Sequence, residues 1–240
     1  FGDDAVFAKL CEEAEKLGIH IICDGVFNHT GSDSVYFNRS KTYGDVGAYN
    51  DKNSPYYNWY SFSEWPDKYD AWWGIKTLPQ IRKDCESFRS FITGEDGILQ
   101  KWMSLGAFGW RLDVADELSE NFLRELRRTV KQNNPDALIV GEVWEDASNK
   151  IAYGNRRHYF AGEELDSVMN YPSKEAIISF IKTHQTEDFS EAVQTICENY
   201  PKPSIDCLMN ILGTHDTERI LTVFGGKHFE TRDEKAQAVL

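Results

Sequence analysis

Four hydrophobic runs along this chain each end on a polar tip, and the tips follow one order: Asp24-Gly-Val-Phe-Asn-His29, Gly109-Trp-Arg-Leu-Asp113, Gly141-Glu142-Val-Trp144 and Gly213-Thr-His-Asp216. Apolar runs of about four to eight residues, bounded in this way, read as buried strands. In a parallel sheet the carboxyl ends of all strands lie on one face, so the tips of successive strands converge there. Three of the tips carry a carboxylate able to do chemistry: Asp113, Glu142 and Asp216.

The stretches between the tips have helical period. Phe7, Leu10, Cys11, Ala14 and Leu17 recur at helical spacing over 4–17, with Gly18 placed as a C-cap. A strand follows over 19–23. The pattern then predicts a helix over 88–105, a strand over 108–114, a helix over 119–132 with Ser119 as N-cap and Pro135 as stop, and a strand over 137–143. Farther on, 166–171 reads as a strand, 174–183 and 189–199 as helices, and 208–213 as another strand. Strands alternating with helices predict the α/β class with a parallel sheet.

Spacing sharpens this. Asp113 and Glu142 are 29 residues apart, one strand-helix unit, and Glu142 and Asp216 are 74 apart, two units with the 166–171 strand between them. Asp24 and Asp113 are 89 apart, which leaves roughly 55 to 60 residues beyond one unit, too many for a loop. The spacing therefore predicts an inserted subdomain over 31–84, with 1–30 and 85–240 forming the sheet-and-helix body. The insert holds thirteen aromatics, among them Trp59, Trp65, Trp72 and Trp73, against five Val, Leu or Ile. Such rings pack a small subdomain short of aliphatics, and their faces also stack on the apolar faces of sugars. Without the insert about 185 residues remain, against ~250 for a complete eight-unit barrel. Either an open sheet or part of a barrel fits that length.

Composition narrows the partners. A net charge of -13 with no long run of like charges excludes nucleic acid and anionic membrane surfaces, and no stretch is apolar enough to span a bilayer. A neutral, hydroxyl-rich ligand suits the chain better. Cys11, Cys23, Cys85, Cys197 and Cys207 are odd in number and form no CxxC pair, so they read as buried free thiols. Free thiols lean toward a cytoplasmic, reducing setting. The chain starts at Phe1 within a helical pattern, so any signal peptide is expected to lie outside it and localisation stays unknown. No His-x-x-x-His or His/Cys cluster is present, and no metal site is expected.

The tips suggest a division of labour. Arg111 and Asp113 are two apart on a strand and project to the same side, so the guanidinium should hold the aspartate ionised, lowering its pKa by roughly 1 to 3 units. A charged carboxylate of this kind serves as a nucleophile, and the same pair also serves as a structural ion pair inside a barrel. Glu142 with Trp144 two residues on should give up its proton less readily, as a general acid requires; the bland alternative is an exposed glutamate at a strand end. His29 and His215 stand where hydrogen bonds to substrate hydroxyls are feasible. Two carboxylates in different environments are the apparatus of glycoside hydrolysis.

These four segments, in this order and spacing, resemble the short motifs of the α-amylase family, family 13 of the glycoside hydrolases. Gly-Trp-Arg-Leu-Asp113-Val-Ala-Asp-Glu117 and Leu212-Gly-Thr-His-Asp216-Thr look nearest to its neopullulanase and cyclomaltodextrinase branch. The resemblance implies a (β/α)8 TIM-barrel catalytic domain, present here over about strands three to seven, with the insert after strand three standing for that family's small subdomain. It implies Asp113 as nucleophile, Glu142 as acid/base and Asp216 as the carboxylate that stabilises the transition state. It places His29, Arg111 and His215 around the cleaved sugar, Asp24 as support for Arg111, and Trp144 and Glu117 among the substrate-binding residues, Glu117 near the acceptor. Leu78-Pro79-Gln80-Ile81 departs from the branch's usual Met-Pro-Lys-Leu-Asn. Asp116-Glu117 stands where typical α-amylases carry a histidine that ligates a structural calcium, so no cofactor is expected, although Asn28 matches another calcium ligand.

The resemblance therefore implies a retaining glycosidase acting on α-1,4 and secondarily α-1,6 bonds of α-glucans such as starch, maltooligosaccharides, pullulan or cyclodextrins. An α-glucan transglycosylase is the second enzyme reading. A non-catalytic amylase-like barrel, or a piece of the domain inactive by itself, is the contrasting one. Exposed barrel edges further imply self-association.

Overall fold

The computed structural model describes residues 2–225, and the part of the expected body beyond residue 225 lies outside the described residues. Helix α1 (Asp4–Glu15), N-capped by the Asp3 carboxylate on the Val6 amide at 3.0 Å, leads into strand β1 (Ile22–Gly25). Hairpin β2 (Phe62–Glu64) and β3 (Lys68–Tyr69) lies in the insert. Next come α2 (Glu86–Thr93), α3 (Ile98–Ser104), β4 (Gly109–Leu112), α4 (Glu120–Asn133) and β5 (Leu138–Gly141). A second hairpin, β6 (Ile151–Ala152) and β7 (Asn155–Arg156), precedes β8 (Ser167–Val168) and helices α5 (Tyr171–Thr183), α6 (Glu187–Asn199), α7 (Lys202–Asp206) and α8 (Ile220–Val223).

The strands of the body form a four-stranded parallel sheet in the order β1, β4, β5, β8, the arrangement of consecutive strands of a (β/α)8 barrel that the described residues leave open. Register fixes the site. Asp24 pairs with Arg111 and Arg111 with Val140, while Gly25, Leu112, Gly141 and Val168 form the next layer. Beyond it the Asp113 amide donates to the Gly25 carbonyl at 3.1 Å and the Glu142 amide to the Leu112 carbonyl at 2.9 Å. Asp113 and Glu142 are thus set side by side at adjacent strand ends.

Every residue of β4 is buried, as a parallel strand covered on both faces requires. Trp110 and Leu112 pack toward the helices, Trp110 against the Phe27 ring, while Arg111 turns to the interior. Gly109 is needed because β5 passes close: a Cβ there would stand 2.1 Å from the Leu138 carbonyl oxygen. Helix α4 buries Phe122, Leu123, Leu126, Thr129 and Val130 on one stripe, each large apolar side chain contributing roughly 1.5–3 kcal/mol. Asp166 ties that helix to the sheet, accepting Arg127 Nη1 at 2.8 Å and the Ile139 amide at 2.9 Å and pairing with Lys131 at 2.9 Å.

Residues 31–84 build on aromatic contacts. Phe37, fully buried, meets Tyr60, Tyr69, Tyr49 and Phe62 with centroids between 4.7 and 6.0 Å. Trp59 packs on Tyr36 and Tyr56 and reaches α2 through Phe88 at 5.1 Å, and insert and body share one core.

Three expectations are corrected. The helix expected over 88–105 is two, because Gly94 and Gly97 interrupt it, and a Cβ on either would press on backbone oxygens at 2.5 and 2.7 Å. The strand expected over 208–213 is reduced to a single parallel bridge between Met169 and Met209, since its neighbour β8 is two residues long and gives it little ladder to extend. Cys197 and Cys207 are exposed rather than buried: Cys207 follows α7 outside any strand, and α6 buries only Ile196. Cys11 and Cys85 are buried, Cys23 is only half-buried, and all five thiols are free. Among the described residues no helix is long and apolar enough to cross a membrane.

Candidate active site

A cleft of about 840 Å³ opens over the strand ends. Asp24, His29, Asp113, Glu117, Glu142, Trp144, His215 and Asp216 all line it, so eight of the nine sequence-predicted residues meet there. The ninth, Arg111, is buried and organises the cleft from beneath. Its Nη1 donates to Asp24 Oδ1 at 2.7 Å and to Asp113 Oδ1 at 2.8 Å, its Nη2 pairs with Glu142 Oε2 at 2.9 Å, and its Nε points to the Met169 sulfur at 3.5 Å. One guanidinium thus holds three carboxylates, and its planar fork allows this where a lysine would not.

Glu142 is 4% exposed and fully engaged: the Val114 amide donates to Oε2 at 2.9 Å and the Trp144 indole to Oε1 at 2.8 Å. Trp144 in turn lies flat on Tyr171, centroids 4.3 Å apart and planes at 11°, and keeps its outer face in the cleft. The expected lowering of the Asp113 pKa is not what the site produces. Burial is the largest influence and pushes it above the ordinary aspartate range; Arg111 pulls it down, while Glu142 and Asp24 push it up. Val114, at φ 39°, turns the chain sharply after Asp113 into the short 3-10 turn Ala115–Glu117.

His29 stacks on Trp72 at 5.2 Å, and burial first of all pushes its pKa below the ordinary histidine value, with Asp113 and Glu117 acting the other way. The ring is therefore neutral at neutral pH, suited to hydrogen bonding with hydroxyls. His215 and Asp216 pair at 3.1 Å and stand well out in solvent, as the missing strand around 208–213 leaves their loop held by a Thr214–Thr217 turn.

Sequence reasoning left out part of the rim. Lys150 pairs with Asp116 at 3.1 Å and with Glu145; Tyr159 donates to Asp116; the Tyr153 hydroxyl, from the β6–β7 turn, donates to Glu117; and Lys83 lies 3.7 Å from Glu117. Periodicity carries no signal for these contacts, because two-residue strands have no pattern to read. Glu117 and Asp116 are already taken by cationic and hydroxyl donors of this chain, and the Asn28 side chain is engaged by Gln80 and His29 at 3.4 Å each.

A family model described as "Alpha amylase, catalytic domain" matches residues 1–240. The chain is 38% identical over 259 residues to the amylopullulanase of Thermoanaerobacter thermohydrosulfuricus, covering 93% of this chain and 17% of that protein. It is 35% identical over 241 residues to neopullulanase 2 of Thermoactinomyces vulgaris, covering 97% and 38%. Its structure is similar to the cyclic alpha-maltosyl-(1→6)-maltose hydrolase from Arthrobacter globiformis, with a TM-score of 0.80 at 28% identity, covering 94% of this chain and 49% of that one. The type III pullulan hydrolase from Thermococcus kodakarensis superimposes with a TM-score of 0.81 at 27% identity, over 100% and 41%. The chain thus spans well under half the length of the curated relatives it matches.

Proposed function

This chain belongs to the α-amylase family, and on that premise we propose that its cleft hydrolyses α-glucosidic bonds with retention of configuration. The observation that carries the reading is the sharing of Arg111: buried Glu142 and half-buried Asp113 are drawn to one guanidinium at the floor of a cleft that Asp216 also lines. Retention calls for two carboxyl groups about 5–5.5 Å apart, one charged and one protonated.

The residues divide the work as follows. Glu142 gives its proton to the glycosidic oxygen as the C–O bond breaks, and an Asp113 oxygen forms a bond to the anomeric carbon, so the sugar is held as a covalent ester and the leaving chain departs with a new hydroxyl. Glu142, now charged, takes a proton from water, whose oxygen attacks the same carbon and releases Asp113. Asp216 and His215 bind the ring hydroxyls and oppose the positive charge that builds at the anomeric carbon. His29, neutral, and Trp144 hold the sugar edge and face. Asp24 and Arg111 keep Asp113 aimed. These steps use side chains alone and route through no metal.

The substrates proposed are α-1,4-linked glucans first, with α-1,6 bonds second. The named activities of the similar proteins, on pullulan and cyclic maltosyl-maltose, support an α-glucan as the substrate class. The reading is tested by proton NMR during cleavage of maltotriose. Retention requires the α-anomer of the new reducing end to appear before mutarotation, whereas a first product in the β form contradicts it. Passage of the glycosyl group to a sugar instead of water would show as products longer than maltotriose.

A further inference from the structure

Two aromatic side chains in the cleft support no core. Trp73 is 80% exposed and Tyr153 is 68% exposed, yet both line the cleft with the carboxylates. Both also hold a backbone that bulky residues rarely adopt, φ 49° at Trp73 and φ 53° at Tyr153. Strain of that kind persists where the surroundings fix it, and here they do. Trp73 ends a stacked series that starts at the tip of β1: His29 on Trp72 at 5.2 Å, then Trp72 on Trp73 at 5.1 Å with planes 23° apart.

Tyr153 reaches the same place from the β6–β7 turn. Its hydroxyl donates to buried Glu117, and that bond, ahead of burial, pushes its pKa up to about 12, so it remains a donor at any working pH. Lys83 lies 5.0 Å over its ring, and the Trp73 indole lies beside its hydroxyl. The insert, the turn after β4 and the hairpin after β5 therefore meet at two exposed rings flanked by a carboxylate and an ammonium group. Both rings remain largely exposed, Trp73 covered on one side by Trp72 and Tyr153 by the Lys83 ammonium, and an exposed ring with charged groups beside it matches the apolar face and hydroxyl rim of a pyranose.

We propose that Trp73 and Tyr153 form an aromatic clasp for a glucose unit on the leaving-group side of the cleaved bond. The side follows from the anchors: Glu117 lies just past Asp113, and Tyr153 lies on the loop that leaves Glu142, the group placed to protonate the leaving oxygen. This rests on the glycosidase reading above, and it adds two residues that bind substrate without touching the reacting atoms.

The test compares maltotetraose, which places sugars on both sides of the bond, with α-maltotriosyl fluoride, which has none on the leaving side. Trp73→Gly removes the ring while relieving the positive φ, so its fold should be no less stable. Tyr153→Phe keeps the ring and Tyr153→Ala deletes it. The clasp requires Trp73→Gly and Tyr153→Ala each to lower kcat/KM on maltotetraose about tenfold, mainly through KM, with fluoride hydrolysis within about twofold of the unaltered protein and Tyr153→Phe largely restored. Equal losses on both substrates, or no loss on maltotetraose, overturn it. If the unaltered protein and Asp113→Asn hydrolyse the fluoride equally well, the glycosidase reading itself fails, an outcome distinct from either.

Discussion

Arg111 is the residue on which the electrostatics of the cleft turn. It sits 10% exposed with Asp24, Asp113 and Glu142 all within 2.9 Å, so the buried Glu142 and half-buried Asp113 carboxylates are compensated by this cation, while Asp24 meets it from the solvent side. The pH behaviour follows. Burial raises the Asp113 pKa above its ordinary value near 3.8, so the nucleophile gains its charge at a higher pH than a free aspartate does, and kcat/KM should fall as pH drops through the raised value. The linked stability has the opposite sense: the unfolded chain releases this proton first, so the contribution of Asp113 is fullest below 3.8 and is lost as pH rises toward the folded value. Arg111→Gln removes the one group that opposes burial, and should move the acid limb of the pH–rate profile upward by about one unit or more; a limb that stays in place contradicts the arrangement. The sequence showed that Arg111 and Asp113 share a face, but not the balance between burial and charge, which depends on β1 and β5 closing around them. Lys150, Lys83 and Tyr153 occupy Asp116 and Glu117, and activity is accordingly expected to survive EDTA unchanged; loss restored by calcium would refute that occupancy.

At the scale of elements, the site depends on strands held in one register. Gly109 permits β4 to lie against β5, and the Leu138 carbonyl leaves no room for a Cβ. Gly109→Ala should therefore cost about 3 kcal/mol or more of stability, measured by urea unfolding, because the clash is with backbone that cannot rotate away. A change within about 0.5 kcal/mol would mean the strands are free to shift. Long elements were the legible ones. Helix α4 follows from its apolar stripe, Ser119 cap and Pro135 stop, and the tips of β1, β4 and β5 follow from buried runs ending in polar residues. Illegible were the split between α2 and α3, where two glycines act through local sterics, and the hairpin β6–β7, whose two-residue strands are fixed by Tyr153 and Lys150 contacts. The 208–213 segment carries a strand's composition but has one short neighbour, so composition alone misled there.

At the scale of the whole molecule, β1 and β8 end the described sheet; the β8 side is partly covered by the Met169–Met209 bridge, and β1 is left open. Ile22 and Val26 are exposed along the β1 side, and unpaired strand edges with apolar side chains invite pairing with other chains. A polypeptide of residues 1–240 alone is therefore expected to sediment as a species heavier than 27.6 kDa, and Ile22→Lys to shift it toward the monomer. A clean monomer at micromolar concentration would count against edge pairing. The cleft, by contrast, draws its walls from the sheet, the insert and the β6–β7 hairpin together, which is why a reading of four strand tips could find its floor but not its rim. Chemistry in this cleft turns on attack by Asp113 and protonation by Glu142. The most direct measurement is mass spectrometry of a proteolytic digest after reaction with 5-fluoro-α-D-glucosyl fluoride, which slows release of a covalent glycosyl-enzyme. The expected result is a glycosyl label on the peptide bearing Asp113, absent from Asp113→Asn; a label on Glu142 or Asp216, or an active protein that never carries one, contradicts the mechanism.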